Sequence, residues 1–343
     1  MFNYFLIFFL IFTFFLIYIS KKYNLFLDFK IQKHKKFSSN LKSYLIGGIL
    51  LIIFYAYYFI LEEKNYVLFF FLFSIFLLGL LSDLQKLNSV KLRFFSQIII
   101  VIFFTYFLDL KINFTRIDIF DTILQNNIFV NIFFTSFCLV LLINGGNFID
   151  GLNGILLKYN LIIYIILFFG FSNELFHIDK QLLQYSIIVL TMILLLNLLG
   201  FLYMGDAGAY LISLYTGIYL INFSSNNFFI SPYLIILLLW YPCFELLFSM
   251  IRRSLKVRKT YKPDSFHLHQ LIYSFMKIKL NLKNNLIVHF FTSSSINFYN
   301  LLIFLVASNY KYNSKIIIYL IIFNLIIYIC FYKIFYKFYK RKN

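Results

Sequence analysis

Asn144, Asn147 and Asp150 stand three residues apart at the end of an apolar run, in the string NGGNFIDGLNGI at residues 144 to 155. At helical spacing their oxygens line one face where the run meets water. Gly151 and Gly154 beside them leave the backbone bare for a close-approaching ligand. A second acid, Asp206, sits in GFLYMGDAGAY (200 to 210) with Gly205 before it and Gly208 after it, in a loop without Lys or Arg. That position suits an N-cap and equally suits a cation. A third, Asp83, ends an apolar run and is followed by Lys86, Lys91 and Arg93, a mixed-sign surface fit for a metal-bound phosphate and also the ordinary border of a membrane helix. The last cluster, within residues 244 to 272, combines Arg252, Arg253, Lys256, Arg258 and Lys259 with Pro263, Asp264, His267 and His269. Spacing by two puts the histidines on one face of an extended segment; with no cysteine and only Asp264 close, zinc is a minor reading. Glu245 lies inside an apolar run, where an unpaired charge costs roughly 2.5 to 3.5 kcal/mol, so a partner is expected for it.

Something must gather these residues from across the chain. Apolar segments of membrane-spanning length recur from end to end, 62% of the residues are hydrophobic, and mean hydropathy is +0.84. This predicts an all-α polytopic membrane protein. Eleven spans are expected, near 2 to 20, 44 to 61, 66 to 82, 94 to 108, 128 to 147, 154 to 171, 184 to 202, 207 to 223, 231 to 251, 286 to 308 and 315 to 336; merging one weak pair near 184 to 223 would leave ten. The first lacks a small-residue cleavage site and reads as a retained helix. Of the 31 Lys and Arg, 25 fall on the side that holds the first connection. The positive-inside rule then predicts the N-terminus outside and the C-terminus in the cytoplasm. On that map Asp28, Asp83, Asp150, Asp206, Glu245 and Asp264 all meet one face, an arrangement that suggests a polar active site. Cys138, Cys243 and Cys330 sit at unrelated spacings inside apolar segments and read as filler. The formal charge of +18 is confined to short loops, which fits anionic lipid headgroups and an anionic substrate and argues against nucleic acid.

In order and content these loops resemble the polyprenyl-phosphate N-acetylhexosamine-1-phosphate transferases, membrane enzymes that start bacterial lipid-linked glycans and include the muramyl-peptide translocase. The likeness runs from LDFKIQKHKKF (27 to 37) and the pair Gly47 and Gly48 to HLHQ at 267 to 270, and it implies one transferase domain over 1 to 343 with active loops near 21 to 43, 83 to 93, 148 to 153, 203 to 206 and 252 to 285. The family's paired aspartates fall on Ser82 and Asp83, so the first is missing. Its Asn-x-x-Asn-x-x-Asp-Gly-Leu-Asp-Gly string falls on Asn144, Asn147, Asp150, Gly151 and Leu152, with Asn153 in place of the second Asp. Met204, Gly205 and Asp206 match Met-Gly-Asp; Glu245 matches the acid before the Arg pair; the family's His-Ile-His-His falls on His267, Leu268, His269 and Gln270.

By position, the resemblance implies Asp83 and Asp150 as catalytic residues and Asp206 with Asn147 as ligands of Mg2+, for which Mn2+ can substitute. It implies substrate contacts from Asn144, Asn147, Asn153, Arg252, Arg253, Asp264, His267 and His269. The implied reaction moves a sugar-1-phosphate from a UDP-N-acetylhexosamine to undecaprenyl phosphate, releasing UMP, at the cytoplasmic face of a bacterial inner membrane, in a protein able to form a homodimer. Both reactants are anions, and unit charges 4 Å apart repel by about 4 kcal/mol at an effective dielectric of 20. A metal and basic loops answer that need. The runner-up substrate is muramyl pentapeptide, against which the His-x-His form speaks. Readings of another class are an inactive scaffold, motivated by Ser82, and a transporter, which would place polar groups near the midplane.

Overall fold

The computed structural model describes residues 2–27, 44–255 and 266–342. Among these the chain is helical without named strands: α1 (Phe2–Tyr23), α2 (Gly47–Ala56) running on as a π-helical turn (Tyr57–Glu62), α3 (Tyr66–Asp83), α4 (Val90–Phe107), α5 (Asp118–Asn126), α6 (Ile128–Ile149), α7 (Ile155–Gly170), α8 (His177–Leu198), α9 (Gly205–Asn226), α10 (Pro232–Leu238), α11 (Trp240–Ser254), α12 (Leu268–Lys279), α13 (Asn285–Asn309) and α14 (Ser314–Lys342). Each of the eleven expected spans coincides with a helix or helix pair. Seven are long and apolar enough to cross a membrane, and eight if the bent pair α10–α11 is one span; α2 with its π turn and α7 are shorter apolar helices. Phe8, Phe15, Phe70, Phe133 and Phe169 stand exposed on the outside, as lipid-facing side chains do. The fold is that of an all-α polytopic membrane protein.

Helix α9 is the hub, buried from Ala207 to Ile221, with α2, α3 and α6 against it. The approach is close enough to require glycine: a Cβ on Gly79 of α3 would lie 2.4 Å from the Ala207 Cα. Inside a membrane, where apolar burial drives association weakly, such small-residue contacts are what bring backbones together.

The segment read as one span over 231 to 251 is two helices bent by 69° at Leu239. Pro242 in the first turn of α11 has no N–H to give the Leu238 carbonyl four residues back. The Tyr159 hydroxyl of α7 donates to that carbonyl at 2.8 Å, so the break leaves it satisfied. Two helices were not foreseen, α5 and α12, because both are short and amphipathic. At the end remote from Asp83, Arg116 donates to the Phe229 carbonyl (2.7 Å), the Tyr312 carbonyl (3.2 Å) and Ser314 Oγ (2.9 Å), tying the loop before α5 to the entries of α10 and α14.

Candidate active site

One corner forms where α3 ends, α4 begins and α9 starts. The first turn of α9 leaves backbone N–H groups without helical partners, and Asp83 takes two of them from another helix: Oδ1 accepts from Asp206 N (2.9 Å) and Oδ2 from Ala207 N (3.0 Å). Gly205, at φ +69°, turns the chain into α9 with a carboxylate oxygen of Asp83 2.5 Å from where its Cβ would be. Asp206 therefore does not cap its own helix; Asp83 does so across the fold. The Asp206 carboxylate is bound instead by Ser82 Oγ (2.6 Å) and Arg93 Nη1 (2.6 Å), and Arg93 Nη1 also donates to Ser82 Oγ. The loop free of basic residues thus receives its cation from the first turns of α4. Asp206 Oδ1 has no hydrogen bond among the described residues.

The end of α6 connects this corner to a second. Helix α6 runs to Ile149 with Asp150 at its C-cap, as the Asn-x-x-Asn-x-x-Asp spacing requires. Asn144 Nδ2 donates to Gln97 Oε1 (2.9 Å), and Gln97 is one turn beyond Arg93 on α4. On another side Phe148 meets the His267 ring edge-on at 5.1 Å and lies under the Arg253 guanidinium at 5.4 Å. Gly151 faces His269, whose Nε2 would be 2.9 Å from an added Cβ. Asn147 is half-buried with no hydrogen bond among the described residues, and Asp150 is half-buried and engaged. Asn153 is buried: its amide donates to the Asn197 carbonyl (2.8 Å) and its N–H to His289 Nδ1 (3.1 Å), bonds that brace the loop.

The second corner is built on Glu245, fully buried in α11. His267 Nδ1 donates to its Oε1 at 2.9 Å and the Tyr328 hydroxyl of α14 donates to its Oε2 at 2.7 Å. The expected partner of this buried acid is thus a histidine and a tyrosine. With Nδ1 carrying that proton, Nε2 accepts from Arg253 Nη2 at 3.3 Å, an assignment that follows from the partners. Arg252 is buried between the rings of Phe266 and Tyr332, each 5.8 Å away. The histidines are not on an extended segment: His267 is the N-cap of α12 and His269 lies inside it, with the two rings parallel at 5.5 Å. Burial pushes the His269 imidazole down to about 3, and neither of its nitrogens has a hydrogen-bond partner among the described residues. Asp264, Asp28 and the basic residues 256 to 262 lie outside the described residues.

Among the described residues no three His, Cys, Asp or Glu converge into a metal cage. Magnesium does not need one, since it is ordinarily held by one or two carboxylates together with waters and substrate phosphates. Asp206, with one oxygen open, and Asp83 beside it fit that pattern; among the described residues no hydrogen bond joins Asn147 to them. Arg93, Gln97 and Tyr328 are the participants that sequence reasoning left out of the site. Arg93 was legible as a cation near Asp83; nothing singled out Tyr328 among 28 tyrosines.

The fold defines an all-α polytopic membrane protein with charged and polar side chains gathered at one end. Residues 65–224 match the family model of glycosyl transferase family 4, a stretch that holds Asp83, Arg93, the Asn144 to Asp150 helix end and Asp206. Over that stretch the chain is similar to glycosyl transferase family 4, in keeping with the polyprenyl-phosphate sugar-1-phosphate transferases that its loops resemble. No curated protein matches it. Glu245, the Arg pair and the His-x-His segment lie beyond the matched region.

Proposed function

We propose that the protein transfers an N-acetylhexosamine-1-phosphate from a UDP-sugar to undecaprenyl phosphate at the cytoplasmic face of a bacterial inner membrane, opening the synthesis of a surface glycan such as an O-antigen. The observation that carries this reading is the junction of the two acids Asp83 and Asp206 with Arg93 at the N-terminus of α9, joined through the end of α6 to the arginine and histidine corner. One corner suits a cation and phosphate; the other presents donors for a sugar nucleotide.

In the reaction an oxygen of the lipid phosphate bonds to the β-phosphorus of the UDP-sugar. The bond from that phosphorus to the oxygen bridging to the α-phosphorus breaks, and UMP leaves with the oxygen and its electron pair. The nucleophile has a second pKa of about 6 and is mostly dianionic at neutral pH, so positioning matters more than proton removal. A bound Mg2+ would neutralise charge on the diphosphate. Asp83 and Asp206 would hold it; Asp150 and Asn147 at the α6 end orient phosphate, and Asn144 holds α6 to α4. Arg253, placed by Phe148 and His267, and His269 beside Gly151 contact the sugar nucleotide. Muramyl pentapeptide remains the runner-up substrate. Incubating purified protein with undecaprenyl phosphate, Mg2+ and a panel of UDP-N-acetylhexosamines tests the reading through UMP release. No release with any of them sinks it in favour of an inactive relative.

A further inference from the structure

Ser82 changes what its neighbours can do. Three hydrogen bonds close a ring: Arg93 Nη1 donates to Asp206 Oδ2, Arg93 Nη1 donates to Ser82 Oγ, and Ser82 Oγ donates its own proton to the same Asp206 oxygen. An ionised carboxylate at position 82 could not close it, because it has no proton to give and would repel Asp206 at that distance. With serine there, Asp83, Asp206 and Arg93 together carry one net negative charge; a second aspartate beside them would make it two. The serine thus favours a single positive charge on Asp206 over a divalent one.

We propose that Arg93 is the resident counter-cation of Asp206, that it competes with a divalent cation for this carboxylate, and that Ser82 tilts the competition towards Arg93. The inference rests on the reading of Asp206 as a cation ligand. Arg93 is suited to leaving. Its side chain is 22% exposed and that of Asp206 25%, so neither is sealed in. Among the described residues only Nη1 is engaged, Nε is buried without a partner and Nη2 makes no hydrogen bond. A guanidinium with idle donors is drawn by a diphosphate, to which it can present two parallel N–H groups. Transfer of Arg93 from Asp206 to a substrate phosphate then frees Asp206 for the divalent ion, so each ligand strengthens the binding of the other. The protein would hold divalent cations weakly until a phosphate-bearing substrate arrives.

The test uses purified full-length protein and Mn2+ alone, with bound ion followed by electron paramagnetic resonance, so that it does not depend on turnover. Arg93→Gln should tighten Mn2+ binding about tenfold, the equivalent of one stripped competitor. Ser82→Ala, which opens the ring but keeps Arg93, should tighten it by a smaller factor, and Ser82→Asp should tighten it most. If Arg93→Gln fails to fold, the two Ser82 variants carry the same comparison. Binding no tighter in these variants than in the wild type, while Asp206→Asn abolishes it, overturns the competition and leaves the proposed site standing. Binding that survives Asp206→Asn in the Arg93→Gln background places the ion elsewhere and overturns both.

Discussion

Asp83 holds the start of α9 and, in the proposed reaction, a share of the metal, so its substitution has two effects that can be read apart. Asp83→Asn keeps one acceptor oxygen for two N–H groups and should lower thermal stability by about 1 kcal/mol, while UMP release should fall by orders of magnitude. Ser82→Ala should cost little turnover, since the hydroxyl adds no charge to metal or nucleophile; if it proves as damaging as Asp83→Asn, the serine has a direct part in the chemistry. His269 gives a prediction in pH. Its imidazole is held near 3 against an ordinary 6.5, so between those values the unfolded chain binds a proton that the folded protein refuses. Its contribution therefore favours folding above pH 6.5 and is lost as pH falls towards 3. His269→Asn should flatten the acid limb of the melting temperature profile; an unchanged limb would show that other groups set it. At this scale the sequence was informative where spacing carries meaning. Asn144, Asn147 and Asp150 fall along the end of one helix because three-residue spacing leaves little choice. The ring of Ser82, Arg93 and Asp206 was hidden because its members are 11 and 113 residues apart and meet only through helix packing.

Among the elements, the broken span α10–α11 and its plug on α7 carry the clearest test. Tyr159→Phe removes the donor to the Leu238 carbonyl and should lower stability by about 1 to 3 kcal/mol, the cost of a buried acceptor left unmet. A melting temperature equal to the wild type would mean that the carbonyl finds another partner. Pro242 was in plain view, but the apolar pattern of 231 to 251 reads through it, since hydropathy does not register a missing N–H. The helices α5 and α12 escaped for the opposite reason: their polar faces interrupt the apolar runs from which spans were drawn. Helix α14 contributes beyond its length. Tyr328→Phe should leave Glu245 with one partner fewer and lower stability by about 1 to 3 kcal/mol. A melting temperature equal to the wild type would mean that His267 and Ser249 satisfy the carboxylate without it.

For the whole molecule, the charge asymmetry makes a prediction about sides. Cysteine labels at Lys91 and Lys279 should be shielded from impermeant reagents in intact cells, whereas labels at Glu63, Asp121 and Asn226 should react; reversal at two of these would overturn a cytoplasmic active face. Composition was enough to predict an all-α membrane protein, because 62% hydrophobic residues in long runs admit few alternatives. What composition could not convey is how the far end is fastened. Arg116, within the family-matched stretch, grips the entries of α10 and α14, which belong to the rest of the chain. Helix α6 has 22 residues, which puts roughly 33 Å of helical rise between that grip and the polar end. The two portions are fastened at that extremity, packed along their length by α11 on α6 and α13 on α7, and meet at the polar end through Phe148, His267 and Arg253. Fastened so from end to end, the seam works as a keel: strain at the polar end is spread along the whole length of the helices instead of opening a cleft there.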